Sequence, residues 1–206
     1  MREPSGNGGL FLFNIVLLNI LIMTSEINSR NFFSVWKKIV GSRKDMLSND
    51  WRKHAVFTSH VKGNDDSIIK EIAGSFGLLY YNEYYSLDVV LYKEEDLVPD
   101  ITEGWCWLRN IRIAFEHENN FNRALYQEVS HLLITNCELR VLVTYPNGGI
   151  DEMLKYLREI IKGSRQSHDI SKSENFLLIF GYEEGFAWEG YIYNTENWIK
   201  IDESKI

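Results

Sequence analysis

The stretch "ELRVLVTY", residues 138–145, is almost uniformly apolar. A strand of that composition is buried on both faces, so it needs helices above and below its sheet. Upstream, "RNIRIAFEHE" (109–118) reads as another strand. Between them, "FNRALYQEVSHLLITN" places Ala124, Leu125, Val129, Leu132 and Leu133 on one helical face. Asn119 and Asn120 suit the start of that helix. Strand, helix and strand in that order resemble a crossover unit, in which the two strands run parallel.

The flanking segments extend the pattern. "NFFSVWKKIV" (31–40) puts Phe32, Trp36 and Ile39 at helical spacing. "GSRKDMLSNDWRKH" (41–54) is polar and reads as turns. A helix capped by Asp66 or Ser67 runs from about Ile68 to Phe76, with Gly77 as its stop. "LLYYNEYY" (78–85) and "SLDVVLY" (86–92) read as two strands with a break near Asn82–Ser86. "IDEMLKYLREIIKG" is a second amphipathic helix, and residues 163–175 read as a polar loop. "NFLLIFGY" and "EGFAWEGYIYN" then form a C-terminal hairpin. Strands covered by helices make this an α/β (α+β) mixed-sheet protein.

Hydrophobic residues make up 45% of the 206, enough for one good core, so residues 24–206 are expected to form a single domain. The net charge of −7 argues against strong non-specific binding to nucleic acid, which needs Lys and Arg to neutralise phosphates. Basic residues nevertheless gather between residues 30 and 70. Lys37, Lys38, Arg43, Lys44, Arg52 and Lys53 are therefore candidate phosphate contacts, with a solvated surface as the plainer account. Cys106 and Cys137 lack metal-ligand spacing and read as two buried free thiols, consistent with the reducing cytoplasm. The apolar run Gly8–Met23 is 16 residues long and holds two asparagines. A membrane-spanning helix wants about 20 residues. The preferred reading is that Met23 is the true start; a membrane anchor, a signal peptide and a buried helix are the alternatives.

Two carboxylates stand at the end of the strand "IRIAFEHE". Alternation sends Ile111, Ile113, Phe115 and His117 one way, and Arg112, Ala114, Glu116 and Glu118 the other. Asp88 sits alone inside the apolar strand "SLDVVLY", where Asp is disfavoured. If these strands are neighbours, Asp88 and Glu116 converge. Converging carboxylates form a site for a hard divalent cation such as Mg²⁺, or else a wet strand end.

An Asp on one strand followed by an acidic residue on the next, then a helix and a buried strand, resembles the PD-(D/E)XK nuclease superfamily. The likeness covers about residues 65–146 and implies a restriction-endonuclease-like αβββαβ core, here with an added helix and a C-terminal β-hairpin. It implies a nuclease that cuts DNA or RNA with Mg²⁺ or Mn²⁺. Asp88 and Glu116 would be metal ligands, and Glu118 stands where most members carry Lys. Glu118 would then act as a general base or a further ligand. Glu71, Gln127 and the backbone of His117 are further candidates, and Glu83, Glu128 and His131 lie nearby in sequence. The missing Lys leaves open a non-catalytic nucleic-acid or protein binding module. An unrelated α/β interaction protein and a homodimer stay open as well.

Overall fold

The computed structural model describes residues 26–63, 66–100, 102, 104–122, 125–202 and 204. The apolar segment 1–23 therefore lies outside the described residues, with the Met23 start and the membrane-anchor and signal readings attached to it. Among the described residues, no helix is long and apolar enough to cross a membrane.

Helices α1 (Ser29–Ser42), α2 (Lys44–Asp50), α3 (His54–Lys62) and α4 (Ile68–Ser75) come first. Strands β1 (Leu79–Tyr84), β2 (Leu87–Tyr92) and β3 (Ile111–Glu118) follow. Next come α5 (Leu125–Ile134), β4 (Cys137–Thr144), α6 (Asp151–Lys162) and α7 (Ser167–Lys172). Strands β5 (Phe176–Tyr182), β6 (Ala187–Tyr193) and β7 (Trp198–Lys200) close the chain. All seven strands form one sheet in sequence order. Strands β3, β4 and β5 run parallel, and every other neighbouring pair is antiparallel. The fold is mixed α/β, with the expected order of helix, three strands, helix and strand from Ile68 to Thr144.

Helices cover both faces, which is why Val141, Leu142 and Val143 of β4 are all fully buried. On one face α1–α4 bury Phe32, Trp36, Phe57 and Ile72 against Val89, Phe115, Val141 and Ile179. On the other, α5–α7 bury Val129, Leu157 and Ile170 against Ala114, Leu142 and Phe180. Each large apolar side chain removed from water stabilises the fold by about 1.5–3 kcal/mol. Asn28 caps α1 by accepting the Asn31 N–H at 2.9 Å. Gly190 lets α1 settle close to β6, because a Cβ there would lie 2.9 Å from the Phe33 ring.

Three expectations need correction. Residues 41–54 are not merely turns, because α2 and the start of α3 lie there. The polar segment 163–175 holds the short helix α7, anchored by buried Ile170. The break expected near Asn82–Ser86 falls at Tyr85 and Ser86, and β1 pairs with β2 through Tyr84. Cys106 and Cys137 are free as expected, but half-buried rather than buried. The C-terminal hairpin β5–β6 is present and gains a third strand, β7.

Candidate metal centre

The β2–β3 register pairs Val89 with Phe115, so Asp88 comes opposite Glu116. Side chains close this end of the ladder. The Asp88 N–H donates to Glu116 Oε2 at 3.0 Å. The His117 N–H donates to Asp88 Oδ2 at 2.8 Å. The other Asp88 oxygen pairs with Lys62 at the end of α3, which also reaches Glu83 at 3.2 Å.

Glu116 shares the sheet face of Ala114 and points under α5. It is 1% exposed, and its Oε1 has no hydrogen-bond partner. That oxygen lies 3.4 Å from Nδ1 of His131, and Glu128 Oε2 lies 3.5 Å from the same nitrogen. Glu128 and His131 are three residues apart on α5, which puts them side by side on its surface. One donor atom from each of the three residues falls within 4.8 Å of the others.

Burial holds the Glu116 carboxyl well above the usual carboxylate range, with the negative charges of Asp88 and Glu128 adding to it. Burial also raises Glu128, with Asp88 adding and His131 opposing. Two crowded carboxyls and a half-buried imidazole, with unpartnered atoms between them, suit a divalent cation: its charge removes the repulsion, and its coordination satisfies the orphan atoms. Two carboxylates and one imidazole are donors that suit Mn²⁺ or Zn²⁺, and less so Mg²⁺, which prefers oxygen throughout.

The sequence-derived candidates separate in space. Asp88 and Glu116 come together as expected. Glu118 turns back to accept the Asn120 N–H at 2.5 Å and lies outside the three-residue group, although its charge adds to the raising of Glu128. His117 faces the opposite core, with Nε2 2.8 Å from the Tyr145 hydroxyl and its ring stacked on Phe57. Burial, aided by Lys62, lowers its pKa to about 3, so it is neutral. Gln127 is exposed, and its neighbour Glu128 supplies the acid from α5. Glu71 pairs with Arg43 at 2.6 Å on the face of α1–α4.

Among the basic residues, Arg52 pairs with Glu183 and Lys53 with Asp50. Lys37 and Lys44 lie over the Phe33 and Phe186 rings, and Lys38 is exposed. All of them belong to the α1–α3 region, across the sheet from Glu116. Lys62 escaped the sequence reading of the site. It belongs to the basic run, yet its partner Asp88 is 26 residues away. Glu128 and His131 carried a signal, an acid and an imidazole one turn apart on a helix that follows a carboxylate-ended strand.

Comparisons with protein-family models, with curated proteins and with solved structures found no match to this chain.

Proposed function

We propose that this chain hydrolyses phosphodiester bonds of nucleic acid, with a divalent cation held by Glu116, Glu128 and His131. The observation that carries the reading is the buried, unpartnered Glu116 Oε1 aimed at His131 Nδ1. A buried polar atom without a partner costs about 1–3 kcal/mol, and a bound cation would remove that cost. When bound, such a cation lowers the pKa of a water and neutralises charge on a phosphate oxygen. Of the chain's own groups, Lys62 sits against Asp88 with its positive charge secured. Burial works to lower the Lys62 pKa, but the pairs with Asp88 and Glu83 win and raise it. It is thus a permanent cation at Asp88, whose own N–H donates to Glu116, and would meet a phosphate oxygen from that side. Glu118 is half-buried at the strand end and can take the proton of the attacking water. The choice of nucleic acid, DNA or RNA, rests on the resemblance of residues 65–146 to PD-(D/E)XK nucleases.

A second reading is favoured by one observation. Both Asp88 oxygens are already engaged, by Lys62 and by the His117 N–H, as in a structural clamp. A non-catalytic binding module would keep such a clamp.

The test combines thermal shift of the full chain in Mn²⁺, Mg²⁺ and Zn²⁺ with cleavage of end-labelled DNA and RNA, beside Glu116→Gln and Glu128→Gln. A metal-dependent shift and cleavage, both lost in the two variants, support hydrolysis. A shift without cleavage transfers the reading to the binding module. No shift with any of the three ions sinks the metal centre.

A further inference from the structure

Five aromatic rings form a continuous line across β1, the turn that follows it and the segment 104–110. Tyr81, Tyr84, Tyr85, Trp107 and Trp105 follow one another at centroid separations of 6.1, 4.9, 6.0 and 6.2 Å. Most of this surface faces water: Tyr85 is 75% exposed, Trp105 62% and Trp107 42%. Large rings left open in a row mark a contact surface, not ordinary surface scatter.

The rings are held in place. The Leu108 N–H donates to the Tyr84 hydroxyl at 3.1 Å, and the Val98 N–H donates to the Trp107 carbonyl at 2.8 Å. Leu97 and Leu108 form an isolated bridge between the two halves of the 93–110 strap. Tyr85 sits in the left-handed region at φ 54°, where glycine or asparagine would be less strained. The backbone thus holds that ring outward at some cost.

Two of the five rings, Tyr84 and Tyr85, also wall a cleft of about 480 Å³, with Leu87, Leu108, Arg109 and Ile134 among its other lining residues. Two of its lining stretches adjoin residues of the centre along the chain. One ends at Leu87, the residue before Asp88. The other ends at Ile134 and Thr135, one turn beyond His131 on α5. Arg109 is the one charged side chain among the described lining residues, in a chain of net charge −7. It donates to the Glu95 carbonyl at 2.6 Å and makes no ion pair with a described residue.

We propose that this row of rings, with the cleft that Tyr84 and Tyr85 border, seats the unpaired bases of single-stranded nucleic acid and leads that strand to the Glu116 centre. Stacked base pairs of a duplex keep their faces covered, whereas a single strand offers them to tyrosine and tryptophan rings. Arg109 meets the backbone, and its lone charge suits a surface that binds mainly by stacking. Delivery to the centre rests on the phosphodiesterase reading; base binding in the cleft does not.

The experiment is equilibrium binding in EDTA, with no divalent ion, so that cleavage plays no part. The full chain carrying Glu116→Gln is titrated with fluorescein-labelled oligothymidylate of about fifteen nucleotides, and with a duplex of the same length. The single strand is expected to bind at least about tenfold tighter than the duplex and to quench tryptophan fluorescence. Trp107→Ala and Tyr85→Ala, each made in the otherwise native chain and in the Glu116→Gln chain, are each expected to weaken the single strand by about tenfold. In the otherwise native chain both leave the Mn²⁺ thermal shift unchanged. Equal affinity for duplex and single strand, or unchanged binding by both alanine variants, overturns the proposal. So does sedimentation showing a dimer that Trp107→Ala disperses without any binding of DNA, since the rings would then join two copies of this chain. Single-strand binding by a protein that cuts nothing would leave the cleft standing and remove the hydrolytic reading alone.

Discussion

Asp88 and Glu116 exchange strand-end contacts: the Asp88 N–H donates to Glu116 Oε2 at 3.0 Å, and the Asp88 carboxylate takes the N–H of the next residue, His117, at 2.8 Å. Two acids replace the last rung of a β-ladder. The arrangement satisfies backbone donors that would otherwise be orphaned at the sheet's end. It also fixes Glu116 in a position where one of its oxygens has no partner.

That orphan oxygen sets a pH dependence. The folded state holds Glu116 above its ordinary value of 4.5, chiefly by burial. A raised carboxyl contributes stability that is fully present below the unfolded value and is lost as pH rises towards the folded one. In the metal-free protein Glu116 is therefore expected to take stability away as pH rises above about 4.5. Glu116→Gln keeps an acceptor for the Asp88 N–H and carries no charge. Urea denaturation in EDTA should show the variant near wild type at pH 5. At pH 8 it should be more stable, by on the order of 2 kcal/mol. A variant less stable than wild type at pH 8 would mean that the buried acid is already neutralised by a partner.

Lys62 and Asp88 form a pair in which both side chains are mostly buried, at 16% and 21% exposure. Removing one member leaves the other charged and largely desolvated. Lys62→Met keeps the aliphatic stem packed and is expected to cost about 2 kcal/mol in urea denaturation at pH 7. Asp88→Asn should cost a similar amount, and the double variant less than the sum of the two. An additive double variant would show that the pair carries no coupling energy. If the centre is hydrolytic, Lys62→Met should also lower cleavage while the Mn²⁺ thermal shift persists.

The parts of this fold legible in the sequence are those with strong periodicity. The run from Val141 to Val143 is apolar because helices cover both its faces, and the alternation of Ile113, Ala114, Phe115 and Glu116 separates the two cores. Helices α2 and α3 were not legible. They bury only Leu47 in the first case and Phe57 and Val61 in the second, too few for a helical stripe. Ring contacts of nearby Trp51 and of Phe57 with Tyr145 hold this region down, and those contacts lie far apart in sequence. At the centre, Glu116 was legible because a carboxylate in an apolar strand is conspicuous. Glu128 and His131 could be named but not placed, since polar residues one turn apart on a helix resemble a solvent face until the topology turns that face inward.

The strap that carries the tryptophans is anchored at Asp96. This carboxylate is fully buried and takes two bonds from Arg112, both at 2.7 Å, plus the Lys93 N–H at 2.8 Å. The Arg112 bonds, chiefly, hold Asp96 below its ordinary value of 3.8. A depressed carboxyl contributes stability present above the unfolded value and lost as pH falls through the folded one. Asp96→Asn is expected to cost about 2 kcal/mol at pH 7 and to flatten the loss of stability below about pH 4. Fluorescence should report the same change, since a loosened strap would shift the environment of Trp105 and Trp107. An unchanged acid limb would mean that Asp96 is not among the groups that drive acid unfolding.

Arg140 is the buried cation of the other core, 2% exposed, on β4 beneath α5. It pairs with no carboxylate among the described residues. Its Nε donates to the Leu132 carbonyl at 2.9 Å, and Nη2 donates to the Thr135 carbonyl at 2.9 Å and to Gln166 Oε1 at 2.7 Å. Leu132 lies in the last turn of α5 and Thr135 just beyond it, where carbonyls have no intrahelical partner and the helix dipole favours positive charge. One guanidinium thus caps α5, ties it to the sheet and reaches the segment before α7. Lysine offers a single nitrogen and cannot span the three acceptors with the same geometry. Arg140→Lys is expected to cost about 2 kcal/mol in urea denaturation, and Arg140→Met about 3 kcal/mol or more, because the carbonyls are then buried without partners. His131 lies on the turn that this cap secures, so Arg140→Lys should also weaken Mn²⁺ binding although it is no ligand. Full stability in Arg140→Met would mean that water replaces the guanidinium, and that the end of α5 opens to solvent in the native state.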